Sequence, residues 1–230
     1  MRQESPTLSS ISSTLHLFSA RPWTHLAINE SSSLKAYSQY EYFLRKTPSL
    51  LASIHRGPPP GVSPGPRQDP LHSPFTSLLT NVTHFTYTAI FPFYNHVETV
   101  LHSVHKMPNL SHLTFKLCPE PESTIIADEL EEAQGHIDVN DAWMEFDTAY
   151  TLITHAVVRL TAIEEAERKG GPDGMRLRAG KLEEFRVDDV KMEGIRDSLE
   201  DVISQRLQEW WVYAGEGLWK RKGLGKLPES

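Results

Sequence analysis

Four seven-residue segments of this chain superimpose without gaps: WTHLAIN from Trp23, VTHFTYT from Val82, LSHLTFK from Leu110 and LEEFRVD from Leu182. Each places apolar residues at its first, fourth and sixth positions: Trp23/Leu26/Ile28, Val82/Phe85/Tyr87, Leu110/Leu113/Phe115 and Leu182/Phe185/Val187. Side chains alternate across a β-strand, so positions four and six share one face and can enter a common core. Positions three, five and seven then face the other way. A repeated unit of this kind cannot bury its apolar face alone, so the copies are expected to stack side by side.

The apolar spacing is the L-x-x-L-x-L pattern of a leucine-rich repeat. The middle copies begin 28 residues apart, at 82 and 110, within the usual period of about 20–29 residues. The outer intervals, 59 and 72 residues, are too long for one unit and imply insertions. Each strand candidate precedes a helix candidate. Asn95-x-x-Glu98 resembles a capping box ahead of Val97, Val100, Leu101 and Val104, which recur at helical spacing. A short acidic helix is expected near 123–133, ended by Gly135. A helix of about six turns follows, carrying Trp143, Phe146, Tyr150, Ile153, Val157 and Leu160 on one face and ending at Lys169-Gly170-Gly171-Pro172. Ile195, Leu199, Val202, Ile203, Leu207 and Trp210 form another stripe. Residues 33–46 read as helical, with Thr47-Pro48 opening a second short helix. The expected fold is α/β: an irregular leucine-rich-repeat-like arc of parallel strands with helices on the outer side.

That domain is expected to span 23–222, between a weakly ordered Ser/Thr-rich stretch at 1–22 and a tail at 223–230. Residues 57–70 hold six prolines and three glycines in fourteen positions, the composition of an extended insertion. No stretch of about 18 apolar residues occurs, which excludes a hydropathy-defined membrane helix and a membrane partner. The first twenty residues lack the apolar run of a secretory signal, so a cytoplasmic or nuclear location is expected. The single cysteine, Cys118, excludes intramolecular disulfides and Cys-rich zinc sites. Net charge is -7, and ten carboxylates with no Lys or Arg lie between Lys116 and Arg159. Such a surface repels phosphate backbones, so nucleic acid is not an expected partner. The basic residues Lys220, Arg221, Lys222 and Lys226 read as a solvated tail.

The outward strand positions are the candidate recognition surface: His25, Ala27 and Asn29; His84, Thr86 and Thr88; His112, Thr114 and Lys116; Glu184, Arg186 and Asp188. Thr also simply suits exposed strand positions, which is the plainer account of the same pattern. His102 and His105, with Glu98, share a helical face opposite its apolar residues and read as a surface pair, so no metal is expected. His136 and His155 with Asp138, Asp141, Glu145 and Asp147 would suit a small hydrolase if they converged; a solvated helix N-terminus explains the carboxylates equally well. Cys118 has no neighbouring base, and the required G-x-x-x-x-G-K-[ST] is missing from the Gly-rich tail, so neither nucleophile nor phosphate loop is read. Trp210, Trp211, Tyr213 and Trp219 read as a cap over the last repeat.

Together, MPNLSHLTFKL at 107–117, DAWMEFDTAY at 141–150, LEEFRVDDVKMEGI at 182–195 and WWVYAGEGLWKR at 210–221 resemble the C-terminal part of fungal F-box/leucine-rich-repeat-like proteins. The resemblance covers about Trp23 to Arg221. It implies a repeat region that holds substrates for a ubiquitin-ligase core recruited by an N-terminal F-box. No LPxEIxxxI helix opens this chain, which is where it departs from that plan. The expected function is therefore non-enzymatic protein recognition, with a protein partner and no cofactor.

Overall fold

The computed structural model describes residues 22–45, 79–168, 182–191 and 196–223. The residues at 47–48, 57–70, 170–172 and 195, like the first 21 and the last seven, lie outside them.

A six-stranded sheet organises the molecule: β1 (His25–Ser32), β2 (His84–Ile90), β3 (His112–Lys116), β4 (Glu184–Val187), β5 (Trp211–Gly215) and β6 (Leu218–Arg221), in the order β1-β2-β3-β4-β6-β5. The four repeat segments supply the four parallel strands, and their predicted alignment is their physical register. Leu26 pairs with Phe85, Phe85 with Leu113 and Leu113 with Phe185; Ile28, Tyr87, Phe115 and Val187 form the next inward row. Phe85, Tyr87, Leu113, Phe115, Phe185 and Val187 are buried, as are the first-position residues Val82, Leu110 and Leu182. A repeated backbone contact sets this register. The carbonyl at position two of each strand accepts N–H bonds from positions two and three of the next: Thr24 from Thr83 and His84 at 2.8 and 3.0 Å, Thr83 from Ser111 and His112 at 2.8 and 3.0 Å, and Ser111 from Glu183 and Glu184 at 2.9 and 3.0 Å.

The helices are α1 (Tyr40–Arg45), α2 (Tyr94–Val104), α3 (Ile125–Glu132), α4 (Val139–Arg168) and α5 (Arg196–Leu207), with 3-10 turns at Leu34–Gln39 and Asp188–Lys191. Consecutive parallel strands joined by crossovers of one hand place the connecting helices on one face. The burial pattern agrees: inward strand positions are buried, outward ones exposed or half-exposed. On α2, Val97, Val100, Leu101 and Val104 are buried; on α4, so are Phe146, Tyr150, Ile153, Val157 and Leu160.

Four expectations need correction. α2 starts at Tyr94, with Phe93 at its N-cap, rather than from a capping box at Asn95. Its first N–H, on Tyr94, is satisfied from another helix by the Glu145 carboxylate at 2.5 Å, so no local cap is required. Val202 on α5 is 41% exposed and leaves the apolar stripe. The closing aromatic segment extends the sheet as an antiparallel hairpin: Phe185 pairs with Trp219, and Trp219 with Tyr213. The turn needs left-handed backbone at Gly215, Glu216 and Gly217. At Gly217 an added Cβ would sit 2.1 Å from the Val187 carbonyl oxygen. Arg221 is 8% exposed, not part of a solvated tail. It donates to Glu164 at 2.9 Å and Glu165 at 3.0 Å beside the rings of Trp210 and Trp211, joining β6 to the end of α4.

Asp189, 1% exposed, accepts N–H bonds from Leu117 at 2.6 Å and Cys118 at 2.9 Å and the hydroxyl of Tyr150. It thereby ties the end of β3 and α4 to the turn after β4. Burial pushes its carboxyl up to about 6, against the pull of Tyr150 and the two N–H groups. Replacing Asp189 with Ala strands two buried N–H donors, each costing about 1–3 kcal/mol. Urea unfolding of Asp189→Ala is expected to lose at least about 2 kcal/mol at unchanged m-value, and Asp189→Asn, which retains an acceptor, less.

Candidate functional site

The outward positions converge on one open sheet face. His25, His84 and His112 are direct neighbours on β1, β2 and β3, and Glu184 and Lys220 continue the row on β4 and β6. The three imidazoles stack nearly parallel: centroids are 4.0 Å apart in both pairs, with interplanar angles of 14° and 9°. Glu184 lies 3.6 Å from His112 Nε2 and 3.3 Å from Lys220 Nζ. Ala27, Thr86, Thr114 and Arg186 form the second row, and Asn29, Thr88 and Lys116 the third. Arg186 reaches Asp188 at 3.9 Å, and Lys116 pairs with Glu120. These ion pairs sit at the exposed surface and add little stability.

Each imidazole is held by the hydroxyl residue before it. His25 Nδ1 lies 3.0 Å from Thr24 Oγ1, His84 Nδ1 2.9 Å from Thr83 Oγ1, and His112 Nδ1 2.8 Å from Ser111 Oγ. Nδ1 is thereby engaged in all three, and His112 Nε2 faces Glu184. Sequence reading identified the histidines and missed their orienting partners, although the signal stands in the segments: Thr-His, Thr-His and Ser-His occupy positions two and three. The fourth segment has Glu-Glu there, and the row changes from imidazole to carboxylate.

Protonating His84 is opposed first by burial and then by charge on His112 and His25, with Glu184 pulling the other way; its pKa falls below the ordinary 6.5.

The other candidates are dispersed. Glu145 is 4% exposed and bonded to Tyr40 and Tyr94, and Asp138 Oδ1 accepts the Asn140 N–H at 2.9 Å. His136 borders a surface depression of about 390 Å³ with Lys35 and Glu132, which pair with each other, while Asp147 lines a groove of about 340 Å³ beside Arg206. His155 is exposed on α4. Among the described residues no hydrogen bond or ion pair joins these carboxylates to either histidine, so the acid–base set is not assembled. Glu98 and His102 are exposed on α2 and His105 at its C-cap, and no group of three or more His, Cys, Asp or Glu among the described residues is arranged to hold a metal ion. The Cys118 thiol is buried, and burial raises its pKa out of the reactive range. No described helix is long and apolar enough to cross a membrane.

In comparisons with known proteins, no family model, curated protein or solved structure matches the chain.

A histidine whose folded pKa is depressed gives stability that is present above the unfolded value and lost as pH falls through the folded one. An NMR titration is expected to place His84 below 6.5. His112→Gln, which removes one like charge, is expected to move that midpoint upward.

Proposed function

We propose that this chain is a protein-recognition module of the leucine-rich-repeat kind, whose outward strand rows form the partner-binding face. The reading rests on one observation: four parallel strands present alternate side chains in continuous, half-exposed rows on one face. Stacked repeats commonly recognise partners on such a face. Its rows mix rigid imidazoles, Thr hydroxyls, Lys116 and Arg186, a composition suited to polar contacts more than to an apolar seal. The resemblance to F-box-type proteins narrows the reading to the part of a ubiquitin-ligase adaptor that holds substrate.

Affinity capture of the tagged chain with mass spectrometry tests this when run beside Thr86→Arg/Thr114→Arg. Both Thr side chains face outward in one row, so the double substitution is expected to shift stability by less than about 1 kcal/mol. Capture of a stoichiometric protein by the original chain, reduced at least about tenfold in the variant, is the expected result. Ubiquitin-ligase core subunits in the captured set would support the adaptor role. Capture equal in both chains would defeat the recognition face.

A further inference from the structure

The first strand of the repeat series has an open backbone edge. In a parallel ladder the N–H and C=O of one residue point to the same neighbouring strand, and successive residues alternate between neighbours. The Thr24 carbonyl bonds the next strand through Thr83 and His84, so Thr24, Leu26 and Ile28 turn their backbone groups toward β2. His25, Ala27 and Asn29 turn theirs the other way. β1 is outermost in the sheet, and no strand among the described residues lies beyond it. Sheet edges are commonly blunted by charged side chains, proline or a bulge. Residues 25–29 read His-Leu-Ala-Ile-Asn, with no fixed charge and no proline, and the register with β2 shifts only beyond Asn29. The opposite outer strand, β5, is less suited to pairing: its register with β6 shifts after Tyr213, ahead of left-handed Gly215.

We infer that this edge pairs antiparallel with the same edge of a second copy of the chain, about a two-fold axis at Ala27. The segment has the same pattern in both directions from Ala27: inward apolar Leu26 and Ile28 flank it, then outward polar His25 and Asn29. Across the axis Ala27 meets its own copy, Leu26 meets Ile28 of the second copy, and His25 meets Asn29. Centring on Ala27 matches all three residues whose backbone groups face the edge, and these exchange N–H and C=O bonds in pairs. A two-fold normal to the sheet keeps inward side chains beside inward ones. Leu26 is only half-buried, whereas its equivalents Phe85, Leu113 and Phe185 are buried. Ile28 of the second copy gives Leu26 the lateral cover that a neighbouring strand gives the others.

Charge does not oppose the pairing. Within 25–29 no carboxylate, Lys or Arg would meet its like, and the next residue, Glu30, accepts the Tyr87 hydroxyl at 2.6 Å. Five paired residues on each side bury less than the ~1,000 Å² of a stable complex, so the dimer is a reversible one. It joins two sheets into one and sets the outward rows of the copies side by side, with His25 of each beside Asn29 of the other. The inference does not depend on what those rows bind.

Sedimentation velocity of the full chain between about 5 and about 300 µM is expected to show a monomer–dimer equilibrium. A monomer throughout overturns the inference, as does growth past the dimer, which head-to-tail pairing of β1 with β5 would give. Ala27→Lys and Ala27→Glu each set like charges opposite one another at the axis and are expected to weaken self-association about fivefold or more. Mixed in equal amounts, the two variants are expected to recover it, because Lys then faces Glu. Self-association that neither variant weakens, or that mixing fails to restore, overturns pairing centred on Ala27. Ala27→Pro removes an N–H that serves no bond within the sheet, and is expected to be monomeric with an unchanged near-ultraviolet circular dichroism spectrum. Val212→Lys on β5 is expected to leave the dimer intact; loss of the dimer there overturns the assignment to β1.

Discussion

The register between neighbouring parallel strands is the constraint on which the remaining structure rests. A slip of one residue would turn Phe85, Leu113 and Phe185 toward solvent and their preceding His and Glu neighbours into the core. Two devices hold the strands against such a slip. Inward rows of aromatic and aliphatic side chains gain their burial only in this alignment, and at each of three interfaces one carbonyl accepts two N–H groups from the next strand. Because the rule repeats, the stacking of the three imidazoles is not an independent feature. It is the outward consequence of the alignment that buries Phe85 and Leu113.

Buried and half-buried carboxylates join the helical layer and the connecting turns to this sheet. Asp189 ties the end of β3 and α4 to the turn after β4, Glu145 completes the first turn of α2, and Glu164 with Glu165 holds Arg221 of the closing hairpin. Each contact spans at least 39 residues of sequence. The cost of burying a charge is offset where the carboxylate accepts two or more hydrogen bonds or meets a guanidinium. Part of the central acidic run is thus consumed as internal fastening, and Glu145, the most buried of the carboxylates that suggested acid–base chemistry, belongs to that part.

The open face follows a different logic. Its polar groups lie at the surface in fixed rows, and a hydroxyl beside each imidazole sets ring orientation. A row of pre-oriented groups loses little freedom on meeting a partner, which is the physical advantage a recognition surface needs. The change from Thr-His, Thr-His and Ser-His to Glu-Glu at the fourth strand makes this surface graded from one edge to the other: imidazoles first, then a carboxylate flanked by Arg186 and Lys220.

The α/β class, four of the strands, their mutual alignment, the burial faces of α2 and α4 and the residues of the outward rows were all legible in the chain. Each is written in a local period of two or of three to four residues, and periodicity survives without any tertiary context. The antiparallel hairpin carried a legible signal as well, in alternating aromatic residues around Gly215-Glu216-Gly217, but its pairing to β4 depended on where the sheet ended. The roles of Asp189, Glu145 and Arg221 were decided by tertiary structure alone. A buried charge takes its meaning from partners far away in sequence, and no local pattern distinguishes such a residue from its solvated neighbours.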